Sequence, residues 1–443
     1  MNIVQITPGA GAMFCGNCFR DNALVASLRQ KGHSVLMVPL YLPLTLDEED
    51  QTDGLPVFFN GINVYLEQKS AFFREAPVWL HNLFASPALL KLAAGQAAKT
   101  RAADLGDITL SMMRGEEGNQ ARELEQLIAF LKTQPKPDII CLSNALLAGM
   151  ARRLKAELGV PVACVLQGED SFLDALPDSF RDLAWRTLAE RCRDVDLFIP
   201  PTNYFAGLMR ERLGLPADRI RVIYNGISLD GYEKNEAAGP GAPTLGYFAR
   251  MCREKGLDTL VEAFILLKER NTVKNLKLKV GGGCGPSDLA FVHALRERLK
   301  AKVFHDDVEF HPNVDRAGKQ EFYRSLSVFS VPALYGEAFG LYVIEALASG
   351  VPVVQPRHAA FPELVEVSGG GVICEPRNPK ALADALEKLL QNPEQARSLG
   401  EAGRKAVEEK FNAGRMADET LKAFQEFTTA RKAAPGLQVG IAH

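Results

Sequence analysis

The chain has 443 residues, 47% of them hydrophobic and 24% charged, and a formal net charge of −3. That length exceeds what one compact core usually serves, so two domains are expected. The slight acidic excess argues against a duplex-binding surface, and no nucleic-acid partner is expected.

Eight cysteines are scattered through apolar stretches, and only Cys15 and Cys18 stand close together. This spacing suggests neither a disulfide framework nor a four-ligand zinc site. The chain opens on a strand-like run, Asn2-Ile3-Val4-Gln5-Ile6, with no basic leader ahead of it. No segment offers about 18 consecutive apolar residues, the length a spanning helix needs. A cytoplasmic protein is the expectation.

Strand and helix patterns alternate in both halves, the mark of parallel sheets covered by helices. Ile3–Thr7 reads as a strand, followed by a glycine-rich turn and a helix from Cys18 to Lys31 that Gly32 ends. Further strands are expected at Ser34–Pro39, Asp138–Leu142, Val160–Leu166, Leu197–Pro200 and Ile220–Tyr224. The Pro/Gly-rich run 236–243 predicts a domain boundary, with domains at 1–235 and 236–412. Beyond it the pattern restarts with strand Leu245–Ala249, helix Leu257–Lys268 and strand Leu276–Gly281. Short strands at Val308–Phe310, Val328–Val331, Val351–Gln355 and Gly371–Cys374 follow. The architecture implied is two Rossmann-like domains with a cleft between them.

Residues 45–125 break the alternation. The acidic stretch Asp47–Asp50 leads into Phe72, Phe73, Trp79, Leu80, Leu83 and Phe84, and Leu89–Leu131 reads as largely helical. Two readings stand: a helical cap that buries its own aromatics, or a patch facing substrate or a membrane surface. The second would allow peripheral contact at the inner membrane face.

The densest chemistry lies at Glu337-Ala-Phe-Gly-Leu-Tyr-Val-Ile-Glu345. Glu345 is the only charge between Ala338 and Val354, and a helix begun near Leu341 sets it on one face with Leu341 and Ala348. That face should be buried, where an unpaired carboxylate is costly. A ribose diol can satisfy it by donating two hydroxyl hydrogen bonds, and Glu337 could grip a second hydroxyl-rich group. The helix start presents the amides of Phe339, Gly340 and Leu341 to an anion. A structural Arg partner for the glutamate is the alternative.

Arg250 and Lys255 follow the strand Leu245–Ala249, on the side where open α/β sheets bind ligands. Two cations there can neutralise a diphosphate, or they can be solvated surface charges. Gly9, Gly11 and Gly16 line the first loop, which can cradle phosphates. Phe14 replaces the third glycine of the dinucleotide fingerprint, and the next strand lacks its acidic residue, so NAD and FAD are disfavoured. Cys15 and Cys18 at this helix start are either a redox pair or packing under the loop. Glu169 and Asp170, after the strand ending at Leu166, are candidate hydroxyl ligands, a general base, or helix caps. Asp194 and Asp196 read as a solvated turn.

Together, Glu337-x7-Glu345 with Phe339-Gly340-Leu341, Ala348-x-Gly350-Val-Pro-Val-Val354 and Pro362-Glu363-Leu364-Val365 closely resemble the family-four retaining glycosyltransferases. Arg250, Lys255-Gly256 and Tyr224-Asn225-Gly226-Ile227 fit the same pattern, which spans nearly the whole chain except 45–125. The resemblance implies the α/β GT-B architecture, with the nucleotide-diphosphate sugar donor held mainly by the second domain and an unidentified acceptor by the first. It implies that the last helix, 413–430, returns to the first domain. It assigns Glu345 to the donor ribose, Glu337 to the transferred sugar, and the amides of Phe339, Gly340 and Leu341 to sugar or phosphate. Arg250 and Lys255 would stabilise the leaving diphosphate without an obligatory metal or other cofactor. Transfer would retain anomeric configuration, with the leaving phosphate assisting deprotonation of the acceptor.

Two positions depart from the family pattern. The paired glycines of the first loop fall here on Cys15-Gly16, which makes Gly16 the better phosphate-loop candidate and Gly11 the second. Gln167 stands where many members place a His, and it can hydrogen-bond a hydroxyl but cannot shuttle a proton. Other classes consistent with these residues are a non-catalytic nucleotide-sugar-binding protein and a GT-B epimerase or phosphorylase relative.

Overall fold

A computed structural model describes residues 1–9, 16–74, 102–232 and 242–433. Gly11, Cys15, Trp79, Leu80, Leu83, Phe84 and most of the 236–243 run lie outside the described residues. The chain divides into two compact units. The first comprises Met1–Pro201, Ala206–Ile223 and Gly414–His443, and the second Thr202–Phe205 and Tyr224–Ala413. The change of unit falls at Ile223–Tyr224, upstream of the Pro/Gly-rich run.

The first unit carries a five-stranded parallel sheet in the order β2-β1-β3-β4-β5. Its strands are β1 (Asn2–Thr7), β2 (Ser34–Pro39), β3 (Ile139–Leu142), β4 (Val162–Val165) and β5 (Leu197–Ile199). Strands β3, β4 and β5 are buried at every residue, as continuous apolar runs covered on both faces are. The helix Gly16–Gln30 follows β1 and packs Leu24, Val25 and Leu28 into the sheet's core. Met416, Ala417, Leu421 and Phe424, from the helix Ala413–Ala433, join that same core.

The expected strand Ile220–Tyr224 does not form. Arg221 and Ile223 donate backbone hydrogen bonds to Phe198 and Pro200, but only one β-bridge, Phe198 to Ile220, results. The described part of the 45–125 region is helical at Gly61–Lys69, Ala71–Arg74 and Ala102–Met113, and Ala121–Thr133 follows. Two adjacent phenylalanines in it differ: Phe73 is buried, whereas Phe72 is 79% exposed.

The second unit holds a six-stranded parallel sheet, β11-β10-β9-β6-β7-β8. The strands are β6 (Thr244–Phe248), β7 (Lys277–Gly282), β8 (Val308–Pro312), β9 (Val328–Phe329), β10 (Val353–Pro356) and β11 (Gly371–Cys374). Its core is separate and built around Tyr247, Phe264, Phe329, Ile344 and Phe361, all nearly inaccessible. From β6 the chain winds outward through β7 and β8, then returns to β6's other side with β9. The order therefore reverses between β6 and β9, and the C-terminal ends of these two strands bound the crevice where ligands of such sheets bind.

Candidate functional site

The loops leaving β6 and β9 carry the residues that the sequence singles out. After β6 the chain turns through Arg250 and Lys255 to the helix Leu257–Arg270. After β9 it runs through Tyr335 and Glu337 to the helix Leu341–Ala348. The two loops are stitched together, because the Leu334 amide donates to the Glu254 carbonyl at 2.9 Å. Gly256 sits at φ +73° with the Pro332 carbonyl oxygen only 1.9 Å from where a Cβ would stand. Both the backbone conformation and the close approach require glycine.

Lys255 and Glu337 form an ion pair in this seam, and Tyr335 also donates its hydroxyl to Glu337. The Lys255 ammonium lies 4.8 Å from the ring centre of Tyr335 and 5.3 Å from that of Tyr342, an aromatic box that suits a desolvated cation. Burial alone would push the Glu337 carboxyl up. Lys255, Tyr335 and Tyr342 more than offset it and hold Glu337 below its ordinary value. The pair is therefore a preformed, charged feature of the loop.

Arg250 is placed on the neighbouring turn. Tyr247, wholly buried in β6, donates its hydroxyl to the Arg250 carbonyl at 2.8 Å, and the Met251 amide donates to the Gly283 carbonyl at the same distance. The guanidinium itself is paired with Asp288, at 2.9 Å from Nη2 to Oδ1. It is thus neither a loose surface charge nor an unoccupied one.

The helix Leu341–Ala348 starts at Gly340, whose φ of +96° puts it in the left-handed region, and no side chain caps it. Its first amides are therefore left for another acceptor. Phe339 is buried behind them, edge-on to Phe411. Glu345 differs from expectation in both burial and partner. The buried residues of this helix are Tyr342, Val343, Ile344, Ala346, Leu347 and Ala348, so Leu341 and Glu345 mark its least buried stripe. Nor is the carboxylate unpaired: Lys319 donates to Oε1 at 2.9 Å and Tyr323 to Oε2 at 3.0 Å. Lys319 and Tyr323 are four apart on the helix Arg316–Arg324, which brings both to one face.

Glu363, quoted in the family pattern without a role, proves fully used. It accepts from the Asn203 amide and side chain and from the Tyr204 amide, each at 2.9 Å, and from the Tyr224 hydroxyl at 3.0 Å.

In the first unit, Gly16 is the exposed first residue of the helix after β1. Gln167 and Gly168 follow β4, and their amides donate to Glu169 Oε2 at 2.9 and 3.1 Å. Glu169 Oε1 accepts from the Ala145 amide at 2.7 Å. That geometry corrects the expectation of a hydroxyl ligand: the carboxylate is buried and bound to three backbone amides, so it shapes the turn. Burial nevertheless leaves its carboxyl above the ordinary value, and does the same for Asp170. One oxygen of Asp170 is buried without a hydrogen-bond partner among the described residues. Asp196 is also no solvated turn residue, since it accepts from Lys155 at 2.7 Å and from the Val162 amide at 2.9 Å.

Asp288, Tyr335, Tyr342, Lys319 and Tyr323 were not singled out from the sequence. Lys319 and Tyr323 carry a readable signal, a four-residue spacing on an amphipathic helix. Asp288 follows a Gly285-Pro286 turn, which points to helix capping rather than to an arginine on the loop after the neighbouring strand.

With this geometry in hand, the chain can be set beside known proteins. Residues 232–406 match the family model described as glycosyl transferases group 1, and residues 106–230 match Glycosyltransferase Family 4. Sucrose-phosphate synthase from Thermosynechococcus elongatus superposes with a TM-score of 0.70, covering 97% of this chain and 99% of its own at 19% identity. The fold is that of the GT-B glycosyltransferases. Anabaena Alr3699/HepE in complex with UDP shares it, with a TM-score of 0.67, 14% identity, and coverage of 96% of this chain and 100% of that one.

Among curated sequences, this GT-B chain is 29% identical over 251 residues to D-inositol 3-phosphate glycosyltransferase of Nocardiopsis dassonvillei, covering 54% of this chain and 58% of the relative. It is 27% identical over 227 residues to the putative colanic acid biosynthesis glycosyltransferase WcaL of Escherichia coli K12, covering 49% and 53%. The chain thus spans about half the length of the curated relatives it matches. No helix among the described residues is long and apolar enough to cross a membrane.

Proposed function

We propose that this GT-B protein transfers a sugar from a nucleoside-diphosphate donor to an acceptor, with retention of anomeric configuration. The observation that carries the reading is the Lys255–Glu337 pair, held charged inside an aromatic box beside the uncapped helix start at Gly340. A cation, a hydroxyl-accepting carboxylate and open amides at one sheet's switch point suit a sugar diphosphate and little else. The family's known members supply the precedent, and the HepE complex shows a GT-B protein holding UDP.

In this reading Arg250 and Lys255 neutralise the diphosphate as it leaves, an electrostatic contribution that asks for no divalent ion. Glu337 accepts hydroxyls of the transferred sugar. The amides of Phe339, Gly340 and Leu341 meet sugar or phosphate, and Glu345 accepts the ribose hydroxyls once Lys319 and Tyr323 share it. Gly16, at the start of the helix after β1, meets donor phosphate, with Gly11, outside the described residues, as the second candidate. Gln167 and Asp170 belong to the acceptor side, where Gln167 positions a hydroxyl and the leaving phosphate takes the proton.

The direct test is turnover of UDP-, GDP- and ADP-linked sugars with sugar and lipid-linked acceptors, in the wild type and in Arg250→Glu. Sugar transfer that the substitution abolishes, without loss of fold by circular dichroism, supports the reading. Transfer that survives charge reversal at Arg250 contradicts it. Donor binding without turnover on any acceptor would favour the non-catalytic binding protein instead.

A further inference from the structure

We infer that Asp288 is a positioning residue, which fixes the Arg250 guanidinium so that its Nη1 edge is the one left to meet a diphosphate. The inference rests on the donor-site reading of Arg250 given above.

Nε of Arg250 reaches Oδ1 and Oδ2 of Asp288 at 3.2 and 3.1 Å, and Nη2 reaches Oδ1 at 2.9 Å. Nη2 also donates to Ser287 Oγ at 3.2 Å. Nη1 has no hydrogen-bond partner among the described residues. The two partners differ sharply in exposure, 56% for the Arg250 side chain and 6% for that of Asp288. A nearly buried carboxylate thus grips one edge of a cation that otherwise faces outward.

The position of Asp288 in the fold strengthens the assignment. It is the N-cap residue of the helix Leu289–Ala301, yet its side chain makes no cap hydrogen bond. Asp315, Asn378 and Asn392, at the same place on their own helices, all cap. A cap of this kind stabilises the helix start it serves. Asp288 forgoes it, turning instead to Arg250 and to the Gly285 amide at 3.0 Å.

Both ends of the pair are anchored. Tyr247 and the Met251–Gly283 hydrogen bond hold the Arg250 backbone. Asn313 closes the loop before Asp288, accepting from the Cys284 amide at 2.9 Å and donating to the Cys284 carbonyl at 3.0 Å. An exposed arginine loses rotamer freedom when a ligand orders it. Here Asp288 takes up that ordering cost during folding, so a diphosphate meets a guanidinium already aimed.

A double-mutant cycle tests this. Affinities for UDP, GDP and ADP are measured by calorimetry on the wild type, Asp288→Ala, Arg250→Ala and the double variant, using the nucleotide the wild type binds most tightly. Asp288→Ala should weaken binding about tenfold when Arg250 is present and less than about twofold when it is Ala, because the coupling between contacting residues lies in that range. An equal loss in both backgrounds, or none in either, overturns the inference while leaving the donor site intact. Unchanged affinity in Arg250→Ala, or a wild type that binds none of the three, instead refutes the reading of Arg250 and the inference with it. Asp288→Asn, which keeps the side chain's volume, serves the same cycle if the Ala variant unfolds.

Discussion

The carboxylates Glu337 and Glu345 look alike in sequence and prove to be held differently. Glu337 is locked into a buried ion pair, whereas Glu345 shares itself between one ammonium and one hydroxyl at the edge of its helix. Removing the first should therefore harm the fold as well as the chemistry. Glu337→Gln leaves the Lys255 charge without its partner, and breaking such a pair costs about 3–5 kcal/mol. Urea unfolding should show that loss in the absence of any ligand. The sign of its pH dependence also follows. A carboxyl held below its ordinary value contributes stability at neutral pH that is lost as pH falls through the folded value, so the second unit should weaken on acidification, and Glu337→Gln should weaken that slope.

At the scale of elements, the seam between the loops after β6 and β9 depends on a glycine. Gly256→Ala must relieve both the positive φ and the approach to Pro332, and it cannot do so without moving the turn that carries Lys255. A stability loss of at least about 1 kcal/mol is expected, together with weaker donor binding. Retained stability and affinity would show that the seam tolerates displacement. In the first unit, burial and then the neighbouring Glu123 raise Glu67 to about 8. Between its ordinary value and that one, the folded state keeps a proton that the unfolded chain releases, so stability should fall as pH rises, by about 1.4 kcal/mol per pH unit at most. Urea unfolding at pH 5 and pH 8 measures that difference, and Glu67→Gln should reduce it.

Elements were legible where the chain's own pattern dominates. Ser34–Pro39 and Gly371–Cys374 form the strands their sequences suggest, because uninterrupted apolar runs between glycines and turns leave few alternatives. Ile220–Tyr224 is interrupted by Arg221 and makes one bridge, to Phe198, and periodicity does not report how many ladder bonds a segment will find. The site shows a parallel limit. Glu337, Glu345, Arg250 and Lys255 could be singled out because charge amid apolar or post-strand sequence is visible locally. Which charge meets Asp288 or Lys319 depends instead on the elements that the sheet order brings together, whereas Tyr335, two residues before Glu337, is a local partner. Glu169 is hidden for a related reason: its donors are backbone amides, which no residue type advertises.

For the molecule as a whole, two separate cores, one around β3 and β4 and the other around Tyr247 and Phe264, make a single two-state transition unexpected. Calorimetry should resolve two transitions, and a nucleotide sugar should raise the one belonging to the second unit, because only the native state binds it. The most direct measurement of the central claim is that scan run with UDP-, GDP- and ADP-linked sugars on the wild type and on Glu345→Ala. The account predicts that one nucleotide class raises the second unit's transition, and that Glu345→Ala loses about 1.5–3 kcal/mol of that binding, as expected for a charge-assisted hydrogen bond. A wild type indifferent to every donor, or a Glu345→Ala variant that binds the donor unchanged, would contradict it.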